Sequence, residues 1–209
     1  MTLLSFSFSQ QISKFSISYH YHIRDLRRIR TSLDHKTAGT IFFSPLDYCK
    51  SLYYSLPASQ LRFLQLTQNI LARAVSRTTL HFPISPVLHS LHWLNIEQRI
   101  QYKIISITHN LLHSSTHSYL YRLLNIYPLV QHSPPTVFVW PILNSLLDSN
   151  FDRSFRNAAP SLWNKLLTTL RSFTEATHAN PVPFPPLALS HQQFFKHLKT
   201  HLFTLSFPP

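Results

Sequence analysis

The sequence predicts a mainly α-helical protein, organised as a small irregular helical bundle with a Pro-rich region and C-terminal helices. Apolar residues recur every three or four positions through most of the chain, which is the spacing of one helix face. Proline occurs 15 times and glycine once, at Gly39, so prolines separate the periodic stretches. A chain of 209 residues is long enough to form one domain or two small ones with a buried core.

The N-terminal stretch has a different pattern from the rest. Residues 1–19 alternate Ser with Phe, Ile or Leu, a period of two that is typical of a strand or of an irregular segment. The lack of a basic start and the interleaved Ser and Gln argue against a signal peptide. Helical spacing begins near Tyr21, and Asp34 is expected to cap a second short helix. The residues predicted to share one helix face are Ile23, Leu26, Ile29 and Leu33.

The next helix is predicted to begin after Pro57, with Ser59 as its N-cap, and to end near Thr78. Its buried face is expected to contain Leu61, Leu64, Leu71 and Val75. On the opposite face, three cations and two amides form a polar stripe: Arg62, Gln65, Asn69, Arg73 and Arg77. Arginine can hold phosphate oxygens and amides can donate to them, so the polar stripe is a candidate contact for a nucleic-acid backbone. A solvated helix face without a partner is the alternative.

Two further helices are predicted from their start signals. Ser85 is expected to cap a short helix that has Pro86 in its first position and ends near His92. Asn95 is expected to cap the longest helix, about 96–114. The apolar stripe of this helix contains Ile96, Ile100, Ile104, Ile107 and Leu111.

The C-terminal part alternates helices with proline-rich sequence. A helix is predicted at 118–124 and one strand at 136–140, within a region too polar and proline-broken to span a membrane. Pro160 is expected to open a helix, and residues 172–189 to form a Pro-rich linker. The apolar residues of the Pro160 helix are Leu162, Trp163, Leu166, Leu167 and Leu170. Ser190 is expected to cap a final helix whose aligned apolar residues are Phe194, Leu198, Leu202 and Leu205.

Scarce glycine and scarce acids exclude several kinds of site. One glycine cannot build a P-loop, a dinucleotide-binding turn or a Gly-x-Ser-x-Gly motif. Seven Asp and Glu, with no Asp-Asp or Asp-x-Asp pair, offer no carboxylate cluster for two-metal chemistry. The single cysteine, Cys49, is expected to be a buried thiol, compatible with a reducing, intracellular compartment. We therefore predict no cofactor, no metal, no catalytic residues and no small-molecule substrate.

The histidines and tryptophans are expected to be structural. His109, His113 and His117 follow one another at intervals of four, and three side chains along this length of helix cannot share one ion. A polar helix face is therefore predicted for them, and likewise for His197 and His201. Trp93 and Trp163 are expected to pack in the core, because apolar helical residues flank them.

The net charge of +12 comes from 19 Lys and Arg against 7 Asp and Glu. Between Tyr48 and Leu147 the single carboxylate is Glu97, among seven Lys and Arg. A tract with so little negative charge suits contact with a polyanion such as RNA or DNA. An ordinary basic surface with no partner is the alternative.

An ordered series of segments gives a more specific indication. It comprises Leu46–Pro57, Leu64–Arg73, Ile84–Leu94, Glu97–Lys103, Ser118–Leu120, Asp152–Arg156, Ala159–Asn164 and Phe195–Phe203. In this order, over about residues 20–205, they resemble the C-terminal region of the reverse transcriptase of LINE-type (non-LTR) retrotransposons, nearest to the jockey-like group. The segments 39–45 and 126–150 depart from the family pattern, so the sequence looks like a truncated, decaying copy.

The resemblance implies the helical thumb, which packs against the template–primer duplex, and the segment after it. The family's catalytic Asp residues match no position here, while the polar stripe lies on what would be a thumb helix. We therefore expect a non-catalytic remnant that binds an RNA/DNA backbone. A relic with no selected function and an amphipathic membrane-surface binder remain alternatives. The expected segments are 1–19 (irregular), 20–125 (thumb-like), 126–171 (Pro-rich region and helix), 172–189 (linker) and 190–209 (C-terminal helix).

Overall fold

The structure, a computed structural model, describes residues 8–29, 53–113, 155–171 and 189–208, together with Ser32 and Thr37. Seven α-helices and no strand occur in these ranges, which confirms the mainly α-helical fold class. The helices are α1 (Phe8–Ile29), α2 (Ala58–Ser76), α3 (Ile84–Ser90), α4 (Ile96–His113), α5 (Phe155–Lys165), α6 (Thr168–Arg171) and α7 (His191–Ser206). The predictions for Leu33, Asp34, Cys49, His117, 118–124, 126–150 and the linker up to residue 188 lie outside the described residues.

The chain divides into two compact units. The first comprises Met1–Lys50, Leu56–Arg99 and Ser206–Pro209, and the second comprises Ser51–Ser55 and Ile100–Leu205. Helices α1, α2 and α3 thus belong to the first unit, whereas α5 and α6 belong to the second. Residues 96–99 of α4 belong to the first unit and its remaining residues to the second.

Helix α1 begins at Phe8, so the strand-like or irregular conformation predicted for residues 1–19 is wrong from Phe8 onward. The reason is a second pattern in the same sequence. Apolar residues at positions 8, 12, 15, 19, 23 and 26 are spaced by three or four and define one helix face. Helix α1 packs against α2 and buries Ile23 and Leu26. Ile29, predicted to share this face, is 49% exposed at the helix end.

Helices α2 and α3 begin after prolines, which occupy the N-cap positions. Pro57 (φ −52°, ψ 142°) and Pro83 (φ −60°, ψ 140°) have the extended backbone of an N-cap, and no described side chain caps either helix. The predicted caps Ser59 and Ser85 are therefore wrong, because both residues lie inside the first turn. Ala72, Val87 and Leu88 form a buried cluster against which Trp93 packs.

Helix α4 has the predicted apolar stripe. Its residues are buried except Ile107, which is half-buried. The carbonyl of Asn95 accepts the Arg99 N–H at 2.9 Å, which places the helix start as predicted. At 18 residues, however, α4 is shorter than α1 (22 residues) and α2 (19 residues).

In the second unit, α5 begins at Phe155, so Pro160 lies inside the helix and does not open it. The helix ends at Lys165, and the break before Thr168 turns Leu167 outward, where it is 52% exposed. Helix α7 starts as predicted. Ser190 Oγ accepts the Gln193 N–H, and Gln193 Oε1 accepts the Ser190 N–H, a reciprocal capping box. Phe194, Leu198 and Leu202 are buried, but Leu205 near the helix end is 54% exposed.

The core of the second unit is built around Phe194. Its ring stacks on His109 of α4 at a centroid distance of 3.9 Å and lies 5.8 Å from Trp163 of α5. His109 is completely buried, so the polar face predicted for it is wrong, whereas His113 is exposed as predicted. The rings of His113 and His191 lie 5.9 and 5.5 Å from that of His109.

This environment keeps His109 neutral. Among the described residues, neither of its ring nitrogens has a hydrogen-bond partner. Burial lowers the pKa of His109 to about 4, and electrostatic repulsion from the neighbouring His191 and His113 acts in the same direction. The neighbouring Asn110 side chain acts in the opposite direction. An imidazolium at this position is therefore unfavourable.

We expect the free energy of unfolding to fall as the pH decreases from 6.5 to 4. In this range His109 binds a proton in the unfolded chain but not in the folded one, and the loss is complete below both pKa values. The difference is on the order of 3 kcal/mol. Urea titrations at several pH values measure it. His109→Leu should flatten the dependence, whereas exposed His197→Gln should leave it unchanged. A dependence that survives in His109→Leu would assign it to another group.

We also expect Arg77→Gly to stabilise the fold. Arg77 ends α2 in the left-handed conformation (φ 58°, ψ 28°), which is unfavourable for any residue with a Cβ. Glycine removes this cost, and the free energy of unfolding should rise by about 1 kcal/mol. Arg77→Ala keeps the Cβ and should bring no such gain. Equal urea midpoints for the two variants would contradict this explanation.

Candidate nucleic-acid interface

Three members of the polar stripe lie at a cleft in the first unit. The cleft has a volume of about 330 Å³. Arg62, Gln65 and Asn69 line it from α2, and Glu97 and Gln98 line it from the first turn of α4. Ser85 and Asn95 also belong to its wall. The structure thus brings three members of the polar stripe next to Glu97 and Gln98, which the sequence did not indicate as neighbours.

Gln65 has a structural role that the sequence did not indicate. Its Oε1 accepts the backbone N–H of Ile96 at 2.8 Å, and its Nε2 donates to Asn69 Oδ1 at 2.8 Å. The N–H of Ile96 belongs to the first turn of α4, where intrahelical acceptors are lacking. Gln65 thus caps α4 from a different helix, and both amides of the polar stripe are engaged inside the unit.

Arg73 is engaged in the same way. Its Nη1 donates to the carbonyl oxygens of Thr79 at 2.8 Å and Phe82 at 2.7 Å. These bonds fasten the loop between α2 and α3 to the end of α2. The side chain is half-buried, so it is less available to an external phosphate than its place in the stripe suggests.

Arg62 and Arg77 are the two exposed cations of the polar stripe. They lie near opposite ends of α2, about 22 Å apart along the helix axis at 1.5 Å per residue. Arg77 is the C-cap residue, and its backbone N–H donates to the Arg73 carbonyl. The guanidinium groups that can reach a phosphate backbone are thus spread along the helix.

The electrostatic surroundings are positive. The described part of the first unit carries eight cations: Lys14, Arg24, Arg27, Arg28, Arg62, Arg73, Arg77 and Arg99. It carries two carboxylates, of which Asp25 lies 3.9 Å from Arg28 and Glu97 is exposed at the cleft. A carboxylate there disfavours an anion inside the cleft, so the exposed α2 face is the better contact for phosphates.

Other kinds of site find little support. Within the described ranges, no group of three or more His, Cys, Asp and Glu side chains is arranged to hold a metal ion. Among the helices described, none combines the length and apolar character needed to cross a bilayer.

Comparison of the chain with protein-family models, curated proteins and solved structures finds no match.

We expect Gln65→Ala to destabilise the first unit, because it leaves the Ile96 N–H of α4 without its acceptor. The free energy of unfolding should fall by about 1–2 kcal/mol, the range for a lost helix cap or an unsatisfied buried donor. Arg62→Ala, a change at an exposed position of the same helix, should alter it by less than about 0.5 kcal/mol. Urea unfolding of both variants measures the difference, and equal effects would exclude the capping role.

Proposed function

We propose that this chain binds the phosphate backbone of nucleic acid and represents the thumb and post-thumb region of a LINE-type reverse transcriptase, without polymerase activity of its own. The observation that supports it is the charge imbalance of the described residues. The described part of the first unit carries eight cations against two carboxylates, and the described part of the second unit carries no carboxylate. The described cations of the second unit are Lys103, Arg156, Lys165, Arg171, Lys196 and Lys199.

Such an imbalance has an energetic consequence. Positive side chains that outnumber carboxylates repel one another and raise the local potential. A polyanion removes this repulsion, and the counterions it releases add to affinity in a salt-dependent manner. An acid-poor surface therefore favours nucleic acid over a neutral ligand.

The mode of binding follows from the side chains available. Gln65 is bonded to Asn69 and to the start of α4, so Arg62 on α2 and Arg77 at its C-cap carry the proposed contact. Guanidinium groups bind phosphate oxygens in paired hydrogen bonds, and contacts of this kind fix position without reading bases. Binding should therefore depend weakly on base sequence.

The first test is a salt titration of binding to a short RNA–DNA hybrid. We expect the logarithm of the affinity to fall linearly with that of the salt concentration. Arg62→Gln/Arg77→Gln should reduce the slope by about 1.8, at about 0.9 per phosphate contact. Lys103→Gln/Lys165→Gln removes the same charge from other helices and should leave the slope nearer that of the unmodified chain.

Two outcomes would overturn the proposal. If the unmodified chain binds the hybrid weakly and without salt dependence, the polar stripe is only a solvated helix face. If the chain also lacks cooperative urea unfolding, a relic without selected function explains the sequence better.

A second expectation concerns catalysis. The sequence contains no Asp-Asp or Asp-x-Asp pair to hold Mg²⁺, so the purified chain should extend no primer above background. The assay needs template–primer, nucleotides and Mg²⁺, with an active reverse transcriptase as the positive control. Extension that persists through further purification would contradict the non-catalytic assignment.

A further inference from the structure

Helix α7 presents a fixed face to solvent. Phe194, Leu198 and Leu202 are buried on one side of the helix, which sets its rotation in the second unit. The capping box of Ser190 and Gln193 sets its start. The residues on the opposite side are therefore held outward by packing.

The outward face is polar and cationic. Gln192, Lys196 and Lys199 follow at spacings of four and three, so they lie along one side of the helix. All three are exposed. Thr200, also exposed, donates its hydroxyl to the Lys196 carbonyl and so adds no negative group to this face.

No carboxylate in the described part of the second unit offsets these lysines. The two ammonium groups stand on a helix whose rise separates their Cα atoms by about 4.5 Å along the axis. One strand of a duplex carries about one phosphate per 3.4 Å of the duplex axis, and lysine side chains are long and flexible. Both side chains can thus reach neighbouring phosphates.

We propose that the exposed face of α7, formed by Gln192, Lys196 and Lys199, is a second surface for the phosphate backbone of nucleic acid, separate from α2. The inference rests on the proposed function for the class of its ligand. It adds a surface on the second unit that neither the polar stripe nor the family resemblance identified as a binding site.

A nucleic acid fits this face better than a membrane does. An interfacial helix inserts its apolar face into lipid. The apolar face of α7 is already buried through Phe194, Leu198 and Leu202. The exposed side offers ammonium and amide donors, which bind phosphates without insertion.

The test is a salt titration of the full chain with a short RNA–DNA hybrid, comparing two variants that each remove two positive charges with one that retains them. Lys196→Gln/Lys199→Gln should reduce the slope of log affinity against log salt by about 1.8. Lys103→Gln/Lys165→Gln, two exposed positions on α4 and α5, should reduce it clearly less. Lys196→Arg/Lys199→Arg retains the charges and should keep the original slope. Matching circular dichroism and urea midpoints show that the fold is intact.

The outcomes separate the two proposals. A slope changed by Lys196→Gln/Lys199→Gln but not by Arg62→Gln/Arg77→Gln supports α7 and rejects α2 as the contact. The reverse result overturns this inference and leaves the proposed function standing. An equal effect of Lys103→Gln/Lys165→Gln means that only the net charge matters, which also overturns it. Stronger binding to phosphatidylserine–phosphatidylcholine vesicles than to the hybrid would also overturn the inference, because the ligand of this face would then be a membrane.

Discussion

The first unit depends on how its helix ends are satisfied. The whole chain contains one glycine, the usual residue at a helix C-terminus, and prolines without a capping side chain occupy the N-cap positions of α2 and α3. Residues of the polar stripe take over part of this role. Gln65 caps α4 from α2, Arg73 holds the carbonyls of Thr79 and Phe82, and Arg77 takes the left-handed position that glycine would normally occupy. Residues of the polar stripe thus stabilise the first unit at three places.

These hydrogen bonds limit how many residues of the polar stripe can bind a ligand. A side chain bonded to a helix end must break that bond before it can bind a phosphate, and the cost is that of an unsatisfied backbone group. The main role of Gln65, Asn69 and Arg73 is therefore to stabilise the folded unit through hydrogen bonds. Arg62 and Arg77 are exposed, and apart from Arg73 the other described cations of the unit lie on α1 and α4. A ligand of this unit would contact positive charges dispersed over several helices, which suits a nucleic-acid backbone better than a small molecule.

Several features that depend on local spacing were predicted from the sequence, and the failures occur where two local signals compete or where distant residues decide. The apolar stripe from Ile96 to Leu111 and the cap at Ser190 are local, and both were predicted. The start of α1 was not predicted, because the alternation of Ser with apolar residues dominates there and the spacing of three to four among a subset of the apolar residues is less evident. Pro160 was read as a helix start, although the helix begins five residues earlier. The bond from Gln65 to Ile96 spans 31 residues, and no local pattern contains it.

The described part of the second unit contains no carboxylate. His109 is buried between Phe194 and two further histidines, and no described carboxylate of this unit is present to stabilise its charged form. Burial is the main reason that the core requires a neutral imidazole, and the neighbouring histidines act in the same direction. On the outer face of α7, no described carboxylate of the unit offsets the lysines. A polyanion on α7 would supply negative charge that the described part of the unit lacks, and it would stabilise the folded unit to which it binds.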